Sequence, residues 1–153
     1  MDLNKFLNAS LVHREETIEV PELKDFFGEE EPLWVVRGLT GAELGRANLA
    51  AESGIENARA LVEAFSGDGD KAEAIRKLAG ISESGVPPDI SRRIELLTVG
   101  SIKPELGINH RDVAVKLAET FPTQFYHLTQ TILSLTGRGA ELGKPKPSGE
   151  TPK

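Results

Sequence analysis

Trp34-Val35-Val36-Arg37-Gly38-Leu39-Thr40-Gly41-Ala42-Glu43-Leu44 is the stretch on which the fold turns. Up to Arg37 the residues are mostly aromatic, β-branched and apolar, as a short buried strand requires. From Thr40 the pattern becomes that of a helix start. Thr40 and Glu43 have the T-x-x-E spacing of a capping box, in which hydroxyl and carboxylate each accept from an orphan backbone N–H. Leu39 and Leu44 occupy the flanking positions of a hydrophobic staple. The stretch predicts a strand that turns directly into a helix, the corner joining a β-containing N-terminus to a helical remainder.

Upstream, residues 2–9 predict a short helix with Leu3, Phe6 and Leu7 on one face. Ile18 and Val20 alternate with Thr17 and Glu19, which predicts a half-exposed strand ending at Pro21. Gly28-Glu29-Glu30-Glu31-Pro32 reads as a solvated turn between the two strands. Two strands alone are marginal and need a helix over their apolar face.

Downstream the chain reads as helical to residue 136. The helix from residue 41 either continues past 52 or restarts at Ser53-Gly54-Ile55-Glu56, a second S-x-x-E box, with Ile55, Ala58, Val62 and Phe65 on one face. Asp70 caps a short helix carrying Ile75, Leu78 and Ala79, and residues 80–88 form a loop. Asp89 caps a helix that buries Ile90, Ile94 and Leu97 and ends near Gly100. After a loop at 103–107, Asn109 caps a helix with Val113, Leu117 and Phe121 inward. Pro122 marks a kink or a new start. Phe121, Phe125, Leu128, Ile132 and Leu135 then form the most regular stripe in the chain. Burying each such side chain is worth about 1.5–3 kcal/mol, so the stripe is core or a permanent interface. Residues 137–153 are rich in Gly, Pro and Lys, with Leu142 as the only large apolar side chain, and read as a disordered tail. The fold class is therefore mainly α (α+β): a small N-terminal two-stranded β element on a bundle of about five to six helices, in one globular domain of residues 1–136.

At 153 residues the chain is long enough for one domain with a real core. A net charge of −6 argues against binding nucleic acid through phosphate contacts. The absence of cysteine removes disulfides and thiolate chemistry. No stretch reaches membrane-spanning length, so neither a membrane nor a nucleic acid is an expected partner. The expected setting is a soluble intracellular one.

The obvious catalytic and metal motifs fail on inspection. Gly67-Asp68-Gly69-Asp70 lacks the later ligands and terminal Glu of a calcium loop. His13, His110 and His127 are scattered, and none forms an H-x-x-x-H pair. Gly137-Arg138-Gly139 with Gly143 follows a helix rather than a strand and has the wrong spacing for a dinucleotide loop. The sequence implies no catalytic residue, no metal and no cofactor. Two features are candidate partner-binding determinants. Trp34 with Arg37 is either a hot-spot pair or a core tryptophan beside an exposed arginine. Arg92 and Arg93 sit in the first turn of a helix, where the dipole disfavours cations. Pairing of Arg92 with Glu95 or Glu119 would account for one of them, and an acidic partner for the other.

Taken in order, Ile18-x-Val20-Pro21-x-Leu23 and Trp34-Val35-Val36-Arg37-x-Leu39-Thr40-x-x-Glu43 form one matching part of a resemblance. Asp89-Ile90-Ser91-Arg92-Arg93-Ile94-Glu95, then Phe121-Pro122-x-x-Phe125-x-x-Leu128-Thr129-x-x-Ile132-Leu133-x-Leu135-Thr136-Gly137-x-Gly139, form the other. Over most of residues 15–144 the chain resembles the tail assembly chaperones of long-tailed bacteriophages and prophages. The resemblance implies a non-catalytic protein that coats the tape measure protein and recruits tail tube subunits. It implies work in the cytoplasm of the bacterial host, absence from the mature virion, and a possible homo-oligomer. It also implies a frameshifted longer form, and Leu142-Gly143-Lys144 is a stretch that a slippery G-GGA-AAG run would encode. The alternative from another class is a structural connector or minor tail protein retained in the virion.

Overall fold

The computed structural model describes residues 1–64 and 88–144, with the backbone alone for 53–64. It is a mixed α+β fold, mainly helical, with small antiparallel sheets. In chain order come helix α1 (Leu3–Leu7), strands β1 (Leu11–Val12) and β2 (Glu15–Glu19), a 3-10 turn (Pro21–Phe26) and strand β3 (Leu33–Arg37). Helix α2 (Gly41–Ala64) follows. Beyond residue 87 are helix α3 (Pro88–Gly100), strand β4 (Ser101–Lys103), a 3-10 turn (Ile108–His110), helices α4 (Arg111–Thr120) and α5 (Pro122–Gly137), and strand β5 (Glu141–Leu142).

The corner forms as its residues dictate. The Thr40 hydroxyl accepts from the Glu43 N–H at 3.2 Å, and the Glu43 carboxylate accepts from the Thr40 N–H at 2.9 Å. Leu39 is buried and Leu44 packs against the same core, so both staple residues are in place. β3 shows strand alternation, with Trp34 and Val36 buried and their neighbours half-buried. β2 pairs antiparallel with β3, Ile18 opposite Trp34. Just after β3, Gly38 presses on α5: a Cβ there would lie 3.1 Å from the Leu135 carbonyl carbon and the Thr136 nitrogen. The next residue's N–H, that of Leu39, donates to the Thr136 hydroxyl at 2.9 Å. The sheet is thereby fixed to the last turns of α5.

α5 carries the core. Phe125, Leu128 and Ile132 have no exposed surface and Leu135 almost none, which makes the stripe core rather than interface. Phe121 stands at its half-buried end, where α4 stops and Pro122 opens α5 as its first residue. α3 is wrapped by α2, α4, α5 and β3. It therefore buries adjacent residues, Leu96 as well as Ile94 and Leu97, where a single-faced helix would bury one.

Several expectations need correction. The sheet gains a third strand, β4, in the order β2-β3-β4. Three residues after a helix are too short to show strand periodicity. Of the two readings beyond residue 52, the continuous one holds: α2 runs unbroken through Ser53. Asp89 lies inside α3 rather than before it, and the N-cap of α4 is His110 instead of Asn109. α4 turns Ala114 and Leu117 inward and leaves Val113 exposed. The segment expected to be disordered from 137 contains β5, whose Leu142 pairs with Leu11 and whose Glu141 binds Arg14 at 2.7 Å. Readings that fall on 65–87 and 145–153, including the Asp70 helix and the Gly67–Asp70 turn, lie outside the described residues, as do the side chains of Ile55, Ala58 and Val62.

The contact of Gly38 with main-chain atoms has a direct consequence. A helix backbone cannot shift for one methyl as a side-chain tip can. Gly38→Ala should cost about 1–3 kcal/mol, the usual penalty of overpacking. Urea denaturation would show this as a lower midpoint at unchanged m-value, and an unchanged midpoint would contradict the tight approach.

Candidate functional site

The 3-10 turn after β2 builds one wall of an apolar groove. With three residues per turn, residues i and i+3 eclipse, so Leu23 and Phe26 share a face. Leu23 is buried, while Phe26 reaches outward and is 75% exposed. Phe27, half-buried, follows it. Helix α4 gives the facing wall through Val113, Lys116, Leu117 and Thr120, the i, i+3, i+4, i+7 positions of one helical face. Phe121 closes the end, edge-on to Phe26 with ring centroids 6.3 Å apart. Trp34 and Pro104 form part of the base. The cavity measures about 800 Å³, within the usual range of roughly 300–1,000 Å³ for binding sites.

Charges stand only at the rim. Glu30 and Lys103 pair at 3.3 Å on one side, both well exposed. Asp112 and Lys116 lie on the α4 side. An apolar trough with separated rim charges of both signs can seat the apolar stripe of a helix.

The residues singled out in the sequence separate in three dimensions. Trp34 is 3% exposed, so of its two readings the core one holds. Its indole N–H donates to the Ser101 hydroxyl at 2.8 Å, which in turn donates to the Pro104 carbonyl. Trp34 thus stiffens the groove from below. Arg37 is three residues on and therefore on the opposite face of the strand. It is half-buried rather than exposed, and its two guanidinium N–H groups hold both Glu43 oxygens at 2.9 and 3.0 Å. Trp34 and Arg37 do not form one contact surface.

Arg92 and Arg93 are likewise used within the molecule. Arg92 donates to Asn48 of α2 at 2.7 Å, where pairing with Glu95 or Glu119 was expected; Glu95 binds Arg111 instead, at 2.6 Å. Arg93 binds Asp89 at 2.9 Å and the Thr129 hydroxyl at 2.8 Å, and lies over the Tyr126 ring at 4.5 Å. Acceptors and a ring on neighbouring helices hold both arginines, which the helix dipole alone does not include. Of the exposed apolar parts of the groove, the sequence reading has Val113 facing inward and does not include Phe26. The signal was present as two adjacent phenylalanines in an otherwise polar segment before Gly28.

A second, more polar cleft of about 540 Å³ includes Arg37, Glu43, Arg46, Glu95 and Glu105 in its lining. Glu43 there serves both the capping box and the Arg37 pair. Hydrogen bonding from Arg37 holds its carboxyl down at about 2, with the Thr40 N–H assisting and burial opposing. The same hydrogen bond raises the Arg37 pKa. Among the described residues no three His, Asp or Glu side chains converge as metal ligands, and no helix is long and apolar enough to cross a membrane.

No family model matches the chain, and no curated protein or solved structure does.

The Glu43 pair sets an acid dependence. The folded carboxyl ionises more readily than the unfolded one, so its contribution is complete above pH about 4.5 and is lost as pH falls toward about 2. Glu43→Gln should lose about 1.5–3 kcal/mol at neutral pH, the range for hydrogen bonds to charged groups. Denaturation curves between pH 7 and pH 2.5 should show a shallower loss of stability in the variant. Parallel curves would remove the pair from the account.

Proposed function

We propose that this protein is a non-catalytic tail assembly chaperone of a long-tailed phage or prophage. In this reading it binds the tape measure protein and recruits tail tube subunits in the cytoplasm of the bacterial host, and it leaves before the virion matures. The observation that carries the reading is the groove between the 3-10 turn and α4, with Phe26 exposed over a base that includes Leu23 and Trp34. A tape measure protein is long and helical, and its unassembled helices expose apolar stripes that aggregate. The groove runs along nine residues of α4, Asp112 to Thr120, which corresponds to about 13 Å or some two and a half turns of a seated helix. Helix-in-groove recognition of that length reads anchors at i, i+3 or i+4, and i+7.

Chemistry at the rim fits the same role. Alternating charges at Glu30, Lys103, Asp112 and Lys116 favour an orientation without restricting the apolar sequence beneath. The overall charge of −6 keeps a protein with an open apolar surface dispersed. The motif resemblance over residues 15–144 supplies the identity of the client.

Co-expression with the tape measure protein tests the reading. The wild type should bring the tape measure protein into the soluble fraction as a complex, and Phe26→Asp should weaken that complex by about 30-fold or more, the loss expected of an interface hot spot. A tape measure protein whose solubility does not change would sink the chaperone reading. Mass spectrometry of purified particles separates it from a connector or minor tail protein: a chaperone is missing there, and a connector is present.

A further inference from the structure

The three-stranded sheet has an edge that no strand covers. In the order β2-β3-β4 the strand β2 stands outermost, and among the described residues it pairs only with β3. The ladder fixes which backbone groups β2 leaves over. At one end the Val20 N–H donates to the Pro32 carbonyl at 2.8 Å, and at the other the Gly38 N–H donates to the Arg14 carbonyl at 2.9 Å. In an antiparallel pair such bonds fall on every second residue, so Glu16 and Ile18 also bond toward β3. The N–H and C=O groups of Glu15, Thr17 and Glu19 therefore point away from the sheet. Among the described residues none of them has a backbone partner. β5 pairs with Leu11 and Val12 and stops short of this edge.

The side chains decide what can join it. Glu15, Glu16, Thr17 and Glu19 are exposed, and only Ile18 is buried. Arg37, which stands opposite Glu15, is already held by both Glu43 oxygens. Among the described residues Glu15, Glu16 and Glu19 form no ion pair. Residues 15–31 carry eight acidic side chains against one basic, Lys24, so the field along the edge favours a cation. Two copies pairing edge to edge about Thr17 would set Glu15 of one against Glu19 of the other, twice. Like charges directly opposite each other destabilise a ladder, so the edge is barred to its own copies. A strand bearing lysine or arginine meets the reverse condition.

We infer that the outer edge of β2 takes an extended, basic segment of another protein as a fourth strand. Main-chain bonds to Glu15, Thr17 and Glu19 hold such a segment, and its side chains supply the selection. Run antiparallel to β2, it sets basic residues beside Glu19, Glu16 and Glu15, an apolar residue beside Ile18 and a β-branched one beside Thr17. The inference uses neither the groove nor the identity of a client, so it stands or falls apart from the chaperone reading.

Fluorescence anisotropy on the full chain tests it with the labelled peptide Thr-Lys-Val-Thr-Lys-Lys-Thr, at low ionic strength because exposed charges are screened by salt. The peptide should bind saturably, and its acidic counterpart Thr-Glu-Val-Thr-Glu-Glu-Thr should not. N-methylation separates strand addition from attraction between charges alone. Methylating the central threonine of the peptide, whose N–H faces Thr17, should abolish binding. Methylating the lysine after it, whose N–H faces solvent, should leave binding nearly unchanged. The double variant Glu15→Lys, Glu19→Lys should bind the basic peptide at least about tenfold more weakly, since two cross-strand pairs change sign, and should now take the acidic one. Both positions are exposed, and circular dichroism checks that the variant folds. Three results would overturn the inference: no saturable binding of the basic peptide to the wild type; equal effects of the two methylations; or a folded double variant whose preference is that of the wild type.

Discussion

At Gly38 the end of β3 meets the backbone of α5 with no side chain between them, and the rest of the molecule is arranged around that approach. Burying main chain against main chain is tolerated only when every polar group finds a partner. Here the Gly38 N–H goes to the Arg14 carbonyl at 2.9 Å and the Leu39 N–H to the Thr136 hydroxyl. Thr136 passes its own hydrogen to the Ile132 carbonyl at 2.7 Å. With these satisfied, the sheet lies on the Phe125–Leu135 stripe, and α2 leaves from a point set by the Thr40–Glu43 box. Arg37 adds its bidentate grip on Glu43, so one carboxylate caps the helix and clamps it to the strand before it.

What could be read in the sequence was what local chemistry decides. The capping box, the proline break at Pro122 and the α5 stripe all depend on spacings within one or two helical turns, and each is present. The features that escaped depend on distant partners. Ser101–Lys103 is a strand because β3 offers it an edge, and nothing in those three residues announces that. Counting from Asn109 puts Val113 inward, but α4 begins at Arg111 and its buried face is set by Ala114 and Leu117. Arg92 and Arg93 looked unexplained because their acceptors, Asn48 and Thr129, lie on other helices. Composition marks the tail as disordered but does not reveal that Arg14 and Ser10 hold Glu141 and Gly143 in place.

The groove follows from the opposite condition at the other end of β3. The corner end is closed by α5. Toward Trp34 the cover passes to a 3-10 turn and a short helix that do not meet over the top. The base is nonetheless stiff: the Trp34 indole is held by Ser101, and Ser101 by the Pro104 carbonyl. A fixed base beneath exposed aromatic walls is preorganised, so ordering this surface would cost a ligand less than ordering a mobile one.

Openness of this kind has a cost in water, since Phe26 and Val113 stay exposed whenever nothing covers them. Their exposure is built into the elements that carry them. Phe26 stands one 3-10 turn after the buried Leu23, and Val113 one residue before the buried Ala114, so neither side chain can turn inward without drawing a core residue out.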